Sequence, residues 1–278
     1  MENTIKDAIY CLSIINGFIE SRRGIGKIYR NTNENLSIIF SNYDFRNKNV
    51  LSVLASSDQV FASYYLGASN VDTFDSNILT YYYYFLKKWT ILKTGKPYIP
   101  ASNDELLEII KIDSNMEEEI KASYFWKYVL TNVNSSLYYS NLFYKEPILY
   151  KLPYENDINY LKKIIIDKKL NYNKFDLFKP LYVDKKYQII ILSNMLEYLY
   201  DSEENINMHN IAAKNIYNLL EDDGIAISSN IIDYKYKGNP IFEKYLEYIE
   251  GPIARSNIYD TNKPICYIYR KRKEIIWN

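Results

Sequence analysis

Residues 49–77 read NVLSVLASSDQVFASYYLGASNVDTFDSN. The apolar run at 49–54 suits a buried strand. A loop over Ala55–Gln59 leads into a helix at about 58–66 that Gly67 stops, and a second strand at 70–75 ends on Asp75. Strand, tight loop, helix and an acid closing the next strand are how doubly wound sheets commonly hold nucleotide-type cofactors, outside the carboxyl ends of the strands where their order reverses. Such loops usually carry glycines. This one carries Ala55, Ser56, Ser57 and Asp58, so the stretch is either a cofactor site or a well-capped helix.

Ser56, Ser57 and Asp58 can cap the helix, whose first N–H groups then face an anion such as a carboxylate or phosphate. Asp75 follows Ala55 by twenty residues, the spacing at which a carboxylate accepts hydrogen bonds from ribose hydroxyls. A dinucleotide needs glycine at the second loop position for its pyrophosphate. Ser57 and Asp58 add bulk there, and Asp58 opposes a phosphate by charge. An amino-acid tail suits the loop better: Asp58 or Gln59 can meet an ammonium while backbone N–H groups meet a carboxylate. That description fits S-adenosylmethionine. No Walker pattern is present, which argues against ATP or GTP hydrolysis. The same residues also read as a plain helix cap and a plain strand end; loop, acid and spacing together favour the cofactor.

The surrounding 278 residues are 47% hydrophobic and 24% charged, enough for a substantial core. Lys plus Arg and Asp plus Glu both number 34, so no net field draws the chain to nucleic acid. The 31 tyrosines are read as base composition as much as function. Cys11 and Cys266 lie far apart and outside metal-ligand spacing, so neither a zinc site nor a disulfide framework is suggested and a reduced, cytoplasmic setting is the expectation. The apolar run AIYCLSIINGFI is too short to span a bilayer. It reads as an amphipathic helix with Ile5, Ile9, Leu12, Ile15 and Ile19 near one face.

No repeat or flexible linker divides the chain, so we expect one Rossmann-like domain over 1–278 with an N-terminal helical cap at 1–47. Helices are expected at 4–20, 32–41 (capped from Thr32, Asn33 and Asn35) and from Ile78 to about Lys93, ending at Gly95 and Pro97. The stretches NDELLEIIK, MEEEIKASYFWKYVL and DINYLKKIIIDKKL make 98–169 a helical insertion. KYQIIILSN and GIAISSNII read as strands around the helix NIAAKNIYNLL, and RSNIYDTNKPICYIYRKRK as two strands about a turn with Asn262 and Pro264. The expected fold is therefore α/β: a doubly wound, mostly parallel sheet, methyltransferase-like, with a C-terminal antiparallel hairpin.

Other candidates carry two readings each. Asp176 in KFDLFKP can hydrogen-bond an adenine amino group or be a solvated loop acid. Ser193 and Asn194 can face the transferred group or cap a helix. Ser76 and Asn77 follow the acid directly. Arg22 and Arg23, beside Gly24 and Gly26, can close over a carboxylate or form a solvated turn. His209 is expected on a helix surface, and Glu117–Glu119 and Glu221–Asp223 as solvated helix ends. Tyr81–Tyr84 point all round their helix.

The stretch VLSVLASSDQVFASYYLGASNVDTFDSN, the ASYFW of 122–126 and the ILSNMLEYL of 191–199 resemble the S-adenosylmethionine:diacylglycerol 3-amino-3-carboxypropyl transferases and their uncharacterised relatives, members of the class I S-adenosylmethionine-dependent transferase superfamily. The resemblance covers about residues 49–225 in scattered blocks. That family has paired glycines where this chain has Ser56 and Ser57, and Asn-Pro where it has Asn77 and Ile78. The resemblance implies Asp58 and Gln59 at the methionine tail, Asp75 at the ribose and Asn194 at the edge of the reaction crevice.

The expected function is transfer of a methyl or 3-amino-3-carboxypropyl group from S-adenosylmethionine to a small-molecule or lipid-like acceptor, with Glu197 or a tyrosine as the base where a proton must leave. Two alternatives stay open: a non-catalytic Rossmann-like module that has lost the cofactor, and an NAD-dependent dehydrogenase. Sequence leaves acceptor and oligomeric state undetermined.

Overall fold

The computed structural model describes residues 1–19, 26–110, 115–133, 141–143, 152–195, 203–229, 244–250 and 266–275. The chain forms two compact units, one of residues 34–53, 62–74 and 170–278, the other of residues 1–33, 54–61 and 75–169.

The first unit carries a seven-stranded sheet: β1 (Asn49–Val53), β2 (Asn70–Phe74), β3 (Asn171–Asn173), β4 (Tyr187–Ser193), β5 (Leu220–Ser229), β6 (Leu246–Glu250) and β7 (Cys266–Lys271). Their order is β3-β2-β1-β4-β5-β7-β6. The first five strands pair in parallel, and β7 pairs antiparallel with both β5 and β6. The order reverses between β1 and β4, the switch point of a doubly wound sheet. Burial explains the central strands' composition. In β1, β2 and β4 nearly every residue is inaccessible, so the side chains on both faces are covered and the sequence reads as an apolar run rather than an alternation. This unit also holds the short helix α2 (Leu36–Ser41), capped by the Asn35 side chain, and the long helix between β4 and β5, Glu203–Leu219.

The second unit is helical: α1 (Glu2–Ile15), the start of α3 (Asp58–Tyr65), α4 (Ile78–Thr94), α5 (Asn103–Ile110), α6 (Glu117–Thr131) and α7 (Ile158–Ile165); the Glu203–Leu219 helix is α8. Buried residues run almost unbroken from Leu79 to Ile91 in α4, the mark of a helix surrounded on all sides. Tyr82 stacks on Phe125 of α6 at 3.8 Å between ring centres, and Trp126 donates from Nε1 to the Tyr82 carbonyl at 2.7 Å. Gly95 stops α4 in the left-handed conformation, its N–H on the Ile91 carbonyl.

Several expectations change. The buried face of α1 is Thr4, Ala8, Cys11, Ile14 and Ile15, while Ile5, Ile9 and Ile19 are exposed. Two constraints set the rotation: α1 packs on α6, and Asp7 accepts a hydrogen bond from Tyr82 Oη at 2.7 Å. Glu119 is not solvated but buried, 3.0 Å from Lys88 Nζ. His209 is buried, and burial lowers its pKa. Glu221–Asp223 belong to β5 instead of a helix end, and α2 begins only at Leu36. The antiparallel strand beside β7 is β6, at 246–250, a segment with no strand expectation; the first strand expected in the 255–273 hairpin falls outside the described residues.

Lys88 donates to Glu119 and to the Lys168 carbonyl, so neither charge is bare. Glu119→Ala strands the ammonium and should cost about 3–5 kcal/mol, while Lys88→Met combined with Glu119→Leu should recover most of that loss. Urea unfolding midpoints of the three proteins check this.

Candidate functional site

The bend after β1 follows directly from the end of the strand. Ser57 N–H donates to the Leu54 carbonyl, and the chain passes through positive φ at Ala55 (38°) and Ser57 (68°) before α3 starts at Asp58. These are conformations that glycine adopts without strain and that cost other residues about 1–2 kcal/mol. The bend thus has the shape of a glycine loop built without glycine.

Asp58 holds it there. Its side chain is fully buried, with Oδ1 at 2.6 Å from Lys87 Nζ and accepting from Tyr154 Oη at 2.9 Å. Oδ2 accepts from Thr32 N–H at 2.7 Å and from Ser56 Oγ at 2.9 Å. Lys87 Nζ also donates to the carbonyls of Arg30 and Ser56 and to Asn31 Oδ1. Burial, then the Asp58 charge, push the Tyr154 hydroxyl well above its usual range, so it remains a donor. The resemblance assigns Asp58 to a methionine tail; here its carboxylate is occupied by four internal donors, the number its lone pairs can take. Gln59 is likewise buried, donating from Nε2 to Thr32 Oγ1. Lys87 also neutralises the charge by which Asp58 would repel an anion. Ser57 Oγ is buried with no partner among the described residues.

Asp75 meets this bend. Its Oδ2 accepts from Ala55 N–H at 3.1 Å and its Oδ1 from Asn77 N–H at 2.9 Å. Asp75 keeps part of its surface accessible and Ser76 is exposed, as Ala55 partly is. Burial pushes the Asp75 carboxyl up to about 6, against the lowering effect of the Asn77, Ala55, Thr80 and Ser76 hydrogen bonds. Asn77 caps α4, its Oδ1 accepting from Leu79 N–H at 3.1 Å, and its Nδ2 donates to the Lys27 carbonyl.

Three further candidates belong to the sheet unit. Asp176 accepts from Phe178 N–H at 3.0 Å, closing a turn, and Asn215 ties that loop through the Leu177 and Lys179 carbonyls. Ser193, at positive φ (52°), ends β4 and donates from Oγ to the buried carboxylate of Glu34; Ser228 donates to the Ser193 carbonyl. Asn194 follows, half-buried. Arg22, Arg23 and Glu197 lie outside the described residues. Sequence reasoning missed Thr32, Glu34, Lys87 and Tyr154. One signal was available: Lys87 and Lys88 interrupt an otherwise apolar and aromatic helix.

Strand order and direction, with an antiparallel β7 between β5 and β6, define a Rossmann-like fold of the methyltransferase type. No protein-family model matches the chain, and no curated protein matches it. Among solved structures, a ribosomal protein L11 methylase from Lactobacillus delbrueckii subsp. bulgaricus aligns at 14% identity over 84% of this chain and 74% of its own, with TM-score 0.37. The N-methyltransferase NodS from Bradyrhizobium japonicum WM9, in complex with S-adenosyl-L-homocysteine, aligns at 10% identity over 85% and 82%, with TM-score 0.40. The fold assignment rests on the sheet itself. Among the described residues no helix is long and apolar enough to cross a membrane, and no cluster of His, Cys, Asp and Glu could hold a metal ion.

Ser57→Gly removes both a strained conformation and an unpaired buried hydroxyl, and should raise stability by about 1 kcal/mol, read as a higher midpoint in thermal unfolding. Asp75 gives a pH dependence. Its folded pKa is raised from 3.8 to about 6, so the folded state binds the proton more tightly; the associated stability is present below about 4 and lost as pH rises through about 6. Asp75→Asn should abolish that part of the slope in unfolding curves between pH 4 and 7.

Proposed function

We propose that this chain binds S-adenosylmethionine and transfers from it a methyl or 3-amino-3-carboxypropyl group to a small-molecule or lipid-like acceptor. The observation that carries the reading is the hydrogen bond from Ala55 N–H to Asp75: the bend after β1 and the acid after β2, twenty residues apart, meet at one place. The residues there fit an adenosine-bearing ligand. Asp75 is partly accessible and ionised above about pH 6; it already accepts from Asn77, Ala55, Thr80 and Ser76, so a ribose hydroxyl would share or replace one of these donors, with exposed Ser76 beside it and the amino end of α4, capped by Asn77, next in the chain. Ala55, Ser56, Ser57, Asp58 and Gln59 shape the bend through their backbone; the Ser56 and Asp58 side chains belong to the buried ion-pair network and Gln59 donates to Thr32.

The bound sulfonium would bring an excellent leaving group. What this chain contributes is alignment, which can be worth ~7–11 kcal/mol without a strongly marked base. The N-terminal segment 1–47 and the helices of 98–169 are the elements that would select the acceptor.

A second reading is favoured by one observation. Asp58 is satisfied entirely from within, as expected of a module that keeps the fold without the cofactor. Titration calorimetry with S-adenosylhomocysteine separates the two, with NADH as the comparison ligand. Binding of the former alone, weakened about tenfold or more in Asp75→Ala, is expected; no binding by the intact protein would leave the non-catalytic module. Mass analysis of the nucleoside left after turnover then assigns the group: S-adenosylhomocysteine for methyl, methylthioadenosine for aminocarboxypropyl.

A further inference from the structure

The helical unit contains a segment that serves neither as helix nor as strand yet is bonded along its length. Residues 27–32 run from the amino end of α4 to that of α3. At one end Asn77 Nδ2 donates to the Lys27 carbonyl at 3.1 Å; at the other Thr32 N–H donates to Asp58 at 2.7 Å and Thr32 Oγ1 accepts from Gln59 Nε2. Between them the Arg30 carbonyl accepts from both Tyr83 Oη and Lys87 Nζ, and Lys87 also reaches Asn31 Oδ1. On the opposite edge Ile28 N–H donates to the Leu142 carbonyl. The segment is therefore tied both to the first turn of α3, through Asp58 and Gln59, and to the cap of α4, through Asn77, the two helix starts that flank the direct Ala55–Asp75 contact of the proposed site.

We infer that residues 27–32 are a latched strap over the bend and Asp75, held down by Tyr83 and Lys87 as positioning residues, and that ligand enters and leaves only when the strap lifts. The inference rests on the proposed function for the ligand and on the hydrogen bonds alone for the latch. Three features suit a part that opens. Five of the hydrogen bonds just described use its backbone atoms, and the other two use the Asn31 and Thr32 side chains. Ile28 is its single buried apolar side chain; Asn31 and Thr32 are buried by their polar ties, and Lys27, Tyr29 and Arg30 are half-buried. Gly26, at φ +96°, stands at its start, a conformation that only glycine enters freely and a natural hinge.

Lys87→Met would strand Asp58 and invite misfolding, so the test uses Tyr83→Phe, which deletes one donor to Arg30 O and leaves Lys87 in place. Asn77→Asp supplies a second variant, keeping the cap oxygen for Leu79 while removing the donor to Lys27 O. Limited trypsinolysis read by mass spectrometry follows cuts after Lys27 and Arg30, with the cut after Lys93 as internal reference. Each variant should speed the strap cuts about 2- to 10-fold, the factor expected for loss of one hydrogen bond from a pre-equilibrium opening, with the reference cut unchanged. In Tyr83→Phe, S-adenosylhomocysteine should bind and dissociate faster by a similar factor, leaving Kd nearly constant, as gating requires. Unchanged strap cuts in both variants would overturn the latch. A change in dissociation alone would overturn the gate and leave a fixed wall. Should the intact protein bind no S-adenosylhomocysteine, the proposed function and the gate both fall, while the trypsin result still decides the latch.

Discussion

The carboxylate of Asp58 and the ammonium of Lys87 lie 2.6 Å apart with neither side chain exposed. Charges taken out of water this completely cost several kcal/mol each unless they are paired and every remaining lone pair and proton finds a partner. Meeting that condition recruits Thr32 and Tyr154, which are 26 and 96 residues from Asp58 in the chain, together with Ser56, Arg30 and Asn31. The N-terminal segment, the bend after β1, α4 and the start of the Glu155–Asp157 turn are thereby referred to one ion pair. A buried pair of this kind adds little net stability compared with apolar packing; its effect is to penalise every arrangement in which one partner is missing.

That penalty accounts for the bend. Ala55 and Ser57 hold left-handed conformations that disfavour their own side chains, and such conformations persist only where the surroundings over-determine them. Here the first turn of α3 is pinned through Asp58, Ser57 N–H is closed on the Leu54 carbonyl, and Ala55 N–H is taken by Asp75. A glycine loop obtains this shape from chain freedom, whereas this loop obtains it from tertiary constraint. The acidic residue of the loop thereby becomes a structural hub, and under the proposed function recognition would fall to Asp75 and its neighbours.

Much of the frame was legible from residues alone. The apolar runs of β1 and β4, the glycine stops at Gly67 and Gly95, the aromatic α4 and the spacing from Ala55 to Asp75 each express a local rule, either the period of an element or the one residue that tolerates a left-handed turn. The misses share a cause. The rotation of α1, the burial of Glu119 and the strand at 246–250 each depend on a partner distant in sequence: Tyr82 and α6 for α1, Lys88 for Glu119, β7 for β6. A hydrophobic period shows that a helix has an apolar face without showing which of two adjacent faces a neighbour will cover, and in α1 both candidates are apolar.

By itself, then, the sequence determined that this protein is an α/β chain with a parallel sheet, and that a bend and an acid twenty residues apart stand at the ends of neighbouring strands, because strands, helices and their stops are encoded over a few residues. Only the tertiary structure decided which acid is locked into a buried ion pair and which is held by hydrogen-bond donors alone. Asp58 and Asp75 are the same residue type at comparable positions, and what separates them is Lys87, a cation whose reach to Asp58 exists only once α4 is packed in place.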